Sequence, residues 1–388
     1  MVEQARPEQP PAGSGYRTLR RHLRELAYRA DVCLPALSPL SDCRACADAC
    51  PVDALDVAGD GVSEVSDACV RCGRCAAVCP TGALQVTGFF SESIEVALSE
   101  REPEQTVAID CWRVPREASP AGAMRVPCLG GLDGGRIAEL QVRAGAPVRL
   151  LDRGWCGDCP AGDECAGPPV EAALHTAREA LAAASVRSVD LPAIESAPLD
   201  GARAAPAIPT PLHEQRVDRR QFFRRAFGLA ARTADDMQPT AESTAPRMRI
   251  HARPALPRQR LVAAVDALGG ELPAALSPAA VIDSDACRNH RVCAAICPTK
   301  ALGAVDTEEG TGIDFDPAAC IQCGICERVC PEQAIGIHPR GGAAGALTRH
   351  HTRSCRECQR DFVASDADRE ICPACRRDRA WFTGMASA

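Results

Sequence analysis

The run Cys69-Val70-Arg71-Cys72-Gly73-Arg74-Cys75-Ala76-Ala77-Val78-Cys79-Pro80 decides how the chain is read. It has a second copy in Cys320-Ile321-Gln322-Cys323-Gly324-Ile325-Cys326-Glu327-Arg328-Val329-Cys330-Pro331. Both copies follow the spacing C-x2-C-x2-C-x3-C-P. Three thiolates on one tight turn can hold three irons of a cubane. The fourth cysteine starts a helix that points away and serves the other cluster of a pair. Gly73 and Gly324 stand where the backbone must come close to the cluster and can offer N–H groups to its sulfide. Zinc knuckles are the plain alternative, and two full copies with partner half-motifs argue against it.

Working outward, the pattern Cys-Pro-x-x-Ala-Leu/Ile occurs four times, at Cys50, Cys79, Cys297 and Cys330. Each copy runs into a short strand-like stretch such as Leu55-Asp56-Val57 or Leu84-Gln85-Val86. The copies fall in two pairs, which define modules over 31–90 and 281–340. Residues 105–195 alternate strand-like runs (Thr106 to Ile109, Pro147 to Leu151, Val186 to Val189) with a helix-like run from Val170 to Ala184. That is the pattern of a small α/β domain. Residues 196–280, rich in Ala, Pro and Arg, read as a linker with one or two helices. Gly341, Gly342 and Gly345 mark a loop before a Cys-rich tail over 350–380. The expected fold class is α+β: two ferredoxin-like two-cluster modules flanking an α/β domain, with a zinc-ribbon-like tail.

Both modules resemble bacterial two-cluster [4Fe-4S] ferredoxins, which makes the chain similar to a polyferredoxin. The resemblance implies one cluster on Cys69, Cys72, Cys75 and Cys50 and another on Cys320, Cys323, Cys326 and Cys297. The other two half-motifs depart from the family. Cys43-x2-Cys46-x3-Cys50 lacks a cysteine at Leu40. Cys33, ten residues before Cys43, is the spare thiol that a longer loop with Pro35 and Pro39 can bring back. The set is then Cys33, Cys43, Cys46 and Cys79; the alternative leaves Cys33 an inert buried thiol. In Cys287-x5-Cys293-x3-Cys297, His290 holds the place of the second cysteine. Either its imidazole ligates beside Cys287, Cys293 and Cys330, or those three cysteines hold a [3Fe-4S] centre. A neutral ligand would raise the potential of that cluster.

The α/β region holds Cys111, Cys128, Cys156, Cys159 and Cys165. Three of these groups follow predicted strands, and ligands in open α/β sheets gather at the carboxyl ends of strands. Cys111-Trp112, Val126-Pro127-Cys128-Leu129-Gly130-Gly131 and Cys156-Gly157-Asp158-Cys159 resemble the small iron–sulfur subunit of methyl-viologen-reducing hydrogenases. That resemblance implies a [2Fe-2S] cluster and relay to a flavoprotein or heterodisulfide-reductase-like partner. Pro160 and the Cys165 loop find no counterpart in it. The alternative is a handful of small buried thiols with no cluster.

In the tail, Cys355-x2-Cys358 and Cys372-x2-Cys375 are separated by 13 residues. This is zinc-ribbon spacing, with four thiolates for a tetrahedral Zn²⁺. Arg356, Arg360 and Asp361 make the surroundings too polar for a redox iron, and Trp381 with Phe382 is too small a platform for stacking bases, so the ribbon reads as a protein-docking element.

The bulk composition agrees. The 388 residues are 46% hydrophobic but only 3% aromatic, so the cores must be small and aliphatic. The 24 cysteines fall in tight groups in a long chain, which indicates ligation rather than a disulfide scaffold. A net charge of −7 argues against a nucleic-acid protein. The first 30 residues carry Arg6, Arg17, Arg20, Arg21, Arg24 and Arg29 and no signal-like apolar run, and no 18-residue apolar stretch occurs. The expected address is therefore the reducing cytoplasm. Arg219-Arg220-Gln221-Phe222-Phe223-Arg224-Arg225 resembles a twin-arginine signal but lies deep in the chain, and reads as a basic helix instead. Tyr16 to Arg29 is expected to form a second basic helix, within a segment 1–30, with Leu19, Leu23 and Leu26 on one side.

No nucleophile–base pair is visible. The chain is expected to be the non-catalytic carrier subunit of a larger oxidoreductase whose partner holds flavin, molybdenum or a hydrogenase centre. Two rival readings are an enzyme with a flavin-docking middle domain and a redox-sensing regulator that binds nucleic acid through the ribbon.

Overall fold

The computed structural model describes residues 17–18, 26–86, 98, 105–162, 167–184, 190–199, 256–307, 310–364 and 370–385. Helix and sheet are mixed along the chain, in keeping with the α+β expectation.

The N-terminal module opens with β1 (Arg17–Thr18) antiparallel to β2 (Leu26–Tyr28). This corrects the basic helix expected up to Arg29. The apolar Leu26-Ala27-Tyr28 run closes the module core, where Tyr28 is fully buried, and that burial outweighs the helical spacing of the leucines. Leu19 and Leu23 lie outside the described residues. Next come α1 (Leu34–Leu37), α2 (Ala45–Asp48), the hairpin β3 (Leu55–Ala58) with β4 (Gly61–Val65), and α3 (Arg74–Val78). Strand β5 (Leu84–Val86) then returns beside β2. The hairpin is locked to β2 through Tyr28, whose hydroxyl oxygen accepts from the Val62 N–H at 3.2 Å. Gly61, at φ 100°, lies against that hydroxyl, and a Cβ there would come within 2.0 Å of it. Only glycine leaves the tyrosine in place.

Four parallel strands build the middle domain: β6 (Val107–Cys111), β7 (Met124–Val126), β8 (Val148–Asp152) and β9 (Ala193–Ser196), in spatial order β7-β6-β8-β9. Parallel neighbours need crossovers, and helices α4 (Gly134–Ala144) and α5 (Glu171–Ala184) supply two of them. Asp133 caps α4 by accepting the Arg136 N–H at 2.9 Å. The strand expected at Val186 to Val189 lies outside the described residues, and β9 follows it instead. A third helix, α6 (Pro257–Ala267), packs on α4 and α5 and puts Leu261, Ala264 and Val265 in their core. The segment 196–280 is thus not linker throughout. Its end, from Leu256, belongs to this domain because three buried aliphatic side chains recur there on one helix face. Ile109, Ile137, Leu140, Leu150 and Leu181 have no exposed surface. Each such burial contributes about 1.5–3 kcal/mol.

One ion pair is sealed in the same domain. Arg153 Nη2 lies 2.7 Å from Asp110 Oδ2, with the two side chains 5% and 0% exposed. Ser119 Oγ donates to the same carboxylate at 2.7 Å, and Arg153 also donates to the Ala197 carbonyl at 3.0 Å. Removing one partner strands a buried charge. Arg153→Met is expected to cost about 3–5 kcal/mol, read as a lower denaturant midpoint for this domain. An unchanged midpoint would contradict the buried pair.

The C-terminal module repeats the order of the first. Strand β10 (Ala279–Ile282) leads to α7 (Val292–Ile296), the hairpin β11 (Leu302–Thr307) with β12 (Gly310–Phe315), α8 (Ile325–Val329) and β13 (Ile335–His338), which pairs back on β10. The tail does not stand apart. Its first strand, β14 (Gly345–Ser354), adds to β12, and β15 (Asp361–Ala364) adds to β14 before α9 (Pro373–Met385). Arg258 on α6 ties this module to the middle domain: its guanidinium donates to the Ala318 carbonyl at 2.9 Å, to Pro317 at 2.6 Å and to Leu276 at 3.1 Å.

Candidate metal centres

The Cys-Pro-x-x-Ala repeat has a common backbone reason. The third residue after each cysteine is left-handed: Asp53 (φ 45°), Gly82 (φ 63°), Lys300 (φ 60°) and Gln333 (φ 51°). That turn aims the alanine N–H back at the sulfur. Ala54 donates to Cys50 Sγ at 3.2 Å, Ala83 to Cys79 Sγ at 3.2 Å and Ala334 to Cys330 Sγ at 3.3 Å. The alanine methyls are buried in the module cores, which leaves no room for a larger side chain.

The ligand loops share a second signature. Arg71 and Gly73 have φ 57° and 81°, and Gln322 and Gly324 have φ 56° and 69°. Asn289 and Arg291 repeat the pair at 54° and 59°. His290 therefore sits in the same backbone frame as Cys72 and Cys323. Its side chain is 52% exposed, and Nε2 lies 3.0 Å from Glu332 Oε1.

The cysteines converge in groups. Cys50, Cys69, Cys72 and Cys75 line one recess, walled by Leu26, Leu55 and Val86. Cys33, Cys43, Cys46 and Cys79 line a second, between Leu34, Val57 and Leu84. Cys33 thus lies beside the three thiols of the half-motif that has Leu40 in place of a cysteine. In the second module Cys297, Cys320, Cys323 and Cys326 lie within mutual electrostatic reach, as do Cys287, Cys293 and Cys330. Burial first, and then neighbouring thiolates, push the Cys46 and Cys326 thiols up to about 12. Four such groups ionise together only around a cationic core, so metal uptake here must expel protons. The recesses, their apolar walls and the inward N–H groups fit a cluster body better than a lone ion.

Clusters are expected to differ at His290. If it ligates, Nδ1 is the free donor while Nε2 stays with Glu332, an arrangement that orients a metal-bound imidazole. His290→Cys is then expected to complete a four-cysteine set and lower the potential of that cluster in a redox titration followed by EPR. A His290→Ala variant with the potential and spectrum of the wild type would make Cys287, Cys293 and Cys330 the whole ligand set, as in a [3Fe-4S] centre.

In the middle domain Cys111 ends β6, Cys128 lies two residues past β7, and Cys156 and Cys159 follow β8. Their thiols interact with one another. Burial raises Cys111 to about 11, Cys156 to about 12 and Cys128 further. N–H groups point at them again: Arg113 to Cys111 Sγ and Ala161 to Cys159 Sγ, both at 3.4 Å. Cys165 lies outside the described residues.

The tail is of another kind. The Sγ atoms of Cys355, Cys358, Cys372 and Cys375 lie within 4.8 Å of one another, with Cys358 and Cys372 at 3.8 Å. Four sulfurs about 2.3 Å from one tetrahedral ion stand roughly 3.8 Å apart. This is single-ion geometry. The N–H groups of Cys358 and Cys372 hold the Cys355 thiol below its ordinary value, while its hydrogen-bonded neighbour Cys372 pushes Cys375 up. Sequence reasoning missed Glu332 as the partner of His290, and it missed the polar contacts between modules, which no local motif announces.

Comparison with known families agrees in two places. Residues 41–83 match the 4Fe-4S dicluster domain, and residues 313–335 match a 4Fe-4S binding domain. The first match begins after Cys33, and the second leaves out Cys287 to Cys297. No curated protein matches the chain. Among the described residues, no helix is long and apolar enough to cross a membrane. The chain carries two 4Fe-4S ferredoxin-type domains and, through them, an iron–sulfur electron-transfer capacity.

Proposed function

We propose that this protein is the electron-carrier subunit of a larger oxidoreductase assembly. It would hold four cubane-type clusters in its two modules, one of them altered at His290, and a [2Fe-2S] cluster on Cys111, Cys128, Cys156 and Cys159. Bound clusters supply one-electron exchange without group transfer. The work of the chain is to hold them, keep water from them and space them. The observation that supports this reading is the grouping of its thiols into partly buried sets with backbone N–H groups aimed at sulfur. The tail, with zinc on its four cysteines, serves as a protein-docking element. The partner is a cytoplasmic enzyme subunit of flavin, molybdenum or hydrogenase type.

A reductive titration tests this. Anaerobic protein should take up about four to five electrons from dithionite and return them to a viologen or ferricyanide. Uptake of one electron or none by fully loaded protein would overturn the reading.

A further inference from the structure

We propose that the thiol sets of this chain stand in single file and that Arg328 is a positioning residue that sets the approach of the two ferredoxin-type modules where the file crosses between them. This rests on the electron-carrier reading and adds the order of its sites. At one end the middle-domain set abuts the first module. Cys72 and Cys128 share a small buried cluster with Ala161, and Cys159 packs against it. The backbones meet there as well: a Cβ on Gly131 would come within 2.7 Å of the Cys72 carbonyl, and Arg74 donates to the Gly162 carbonyl at 3.4 Å. Cys72 belongs to the recess of Cys50, Cys69 and Cys75. Cys75 in turn feels the charge of Cys46, which lines the recess of Cys33, Cys43 and Cys79.

The file then crosses between modules. Arg328 lies on α8, within electrostatic reach of Cys323 and two residues from both Cys326 and Cys330. Its guanidinium reaches out of its own module. Nη2 pairs with Asp42 Oδ1 at 2.8 Å, and Nη1 donates to the Leu40 carbonyl at 2.5 Å. Asp42 is the residue before Cys43. One side chain thus joins the edge of the Cys33 set to the edge of the set on Cys297, Cys320, Cys323 and Cys326. The set of Cys287, His290, Cys293 and Cys330 is left at the far end. Leu40 marks the place where the family has its missing cysteine, so the longer loop that recruits Cys33 also presents the carbonyl that Arg328 grips.

The pair is exposed, with side chains 40% and 82% accessible, so it contributes little to the stability of either module. Its replacement leaves both folded, while Glu at 328 would repel Asp42. The test uses the full chain, purified anaerobically and reduced with dithionite, with pulsed EPR reading spin–spin coupling between clusters. In the wild type and in Arg328→Lys, coupling should connect clusters of the two modules. In Arg328→Glu that intermodule coupling should weaken, because Arg258 still ties the second module to the middle domain, while coupling within each module stays. Combining Arg328→Glu with Asp42→Arg should restore it. Full cluster loading with unchanged coupling in Arg328→Glu, or no recovery in the charge swap, would overturn the role of Arg328 alone. A wild type with no cluster signals would overturn the carrier reading and this inference together.

Discussion

Stripping the metal from this protein with a chelator under reducing conditions is expected to unfold both ferredoxin-type modules and leave the middle domain folded. The reason lies in what each core is made of. Among the described residues, the middle domain has twenty-one buried in its main core, and none of these is a cysteine. The modules have eleven and nine, and these include Cys33 and Cys79 in one and Cys293, Cys320 and Cys326 in the other. Their cores are thus partly made of thiols, and Tyr28 and Phe315 are their aromatic members among the described residues. Structural metal sites supply about 10–16 kcal/mol in small domains, and whole domains are stable by about 5–15 kcal/mol. Loss of the metal therefore exceeds what such cores can replace. The tail should melt with them, because its four thiols surround a single point. Limited proteolysis before and after chelation checks this: cleavage should spread through 31–90 and 281–380 and spare 105–195. Modules that stay protected without iron would contradict the account.

The second large effect falls on Cys33. It is buried at 8% exposure and lines the same recess as Cys43, Cys46 and Cys79. Cys33→Ala should remove about four irons and one cubane signal, while the set on Cys50, Cys69, Cys72 and Cys75 persists. The partial unfolding that follows should be confined to the Leu34, Val57 and Leu84 side of the module. Iron content and EPR spectrum equal to the wild type would make Cys33 a bystander.

Much of the site could be read in the sequence because the loops encode it locally. A ligand turn needs only its spacing, a left-handed residue before the second cysteine and another after it, and those are neighbours in the chain. The Cys-Pro-x-x-Ala repeat is legible for the same reason. Strands β6 to β8 and helix α5 were also within reach, as runs of apolar residues with regular period. What escaped depends on contacts made from afar. Strand β2 looks helical until Tyr28 meets the β3–β4 hairpin. Helix α4 begins with Gly134-Gly135, which suppresses the helical signal. Gly135 is needed because Pro257 of α6 passes where its Cβ would be, within 2.0 Å. Helix α6 itself sits in a stretch whose composition resembles a linker, and only its three buried residues give it a place. The contact at Arg328 is likewise invisible, since Leu40 and Asp42 are almost 290 residues away.

The claim that this chain is a carrier with several clusters is tested most directly by metal analysis with low-temperature EPR on anaerobically purified, fully reconstituted protein. The account predicts about 14 to 18 irons and about one zinc per chain, with overlapping signals from more than one cubane after reduction. Fewer than about eight irons would contradict it.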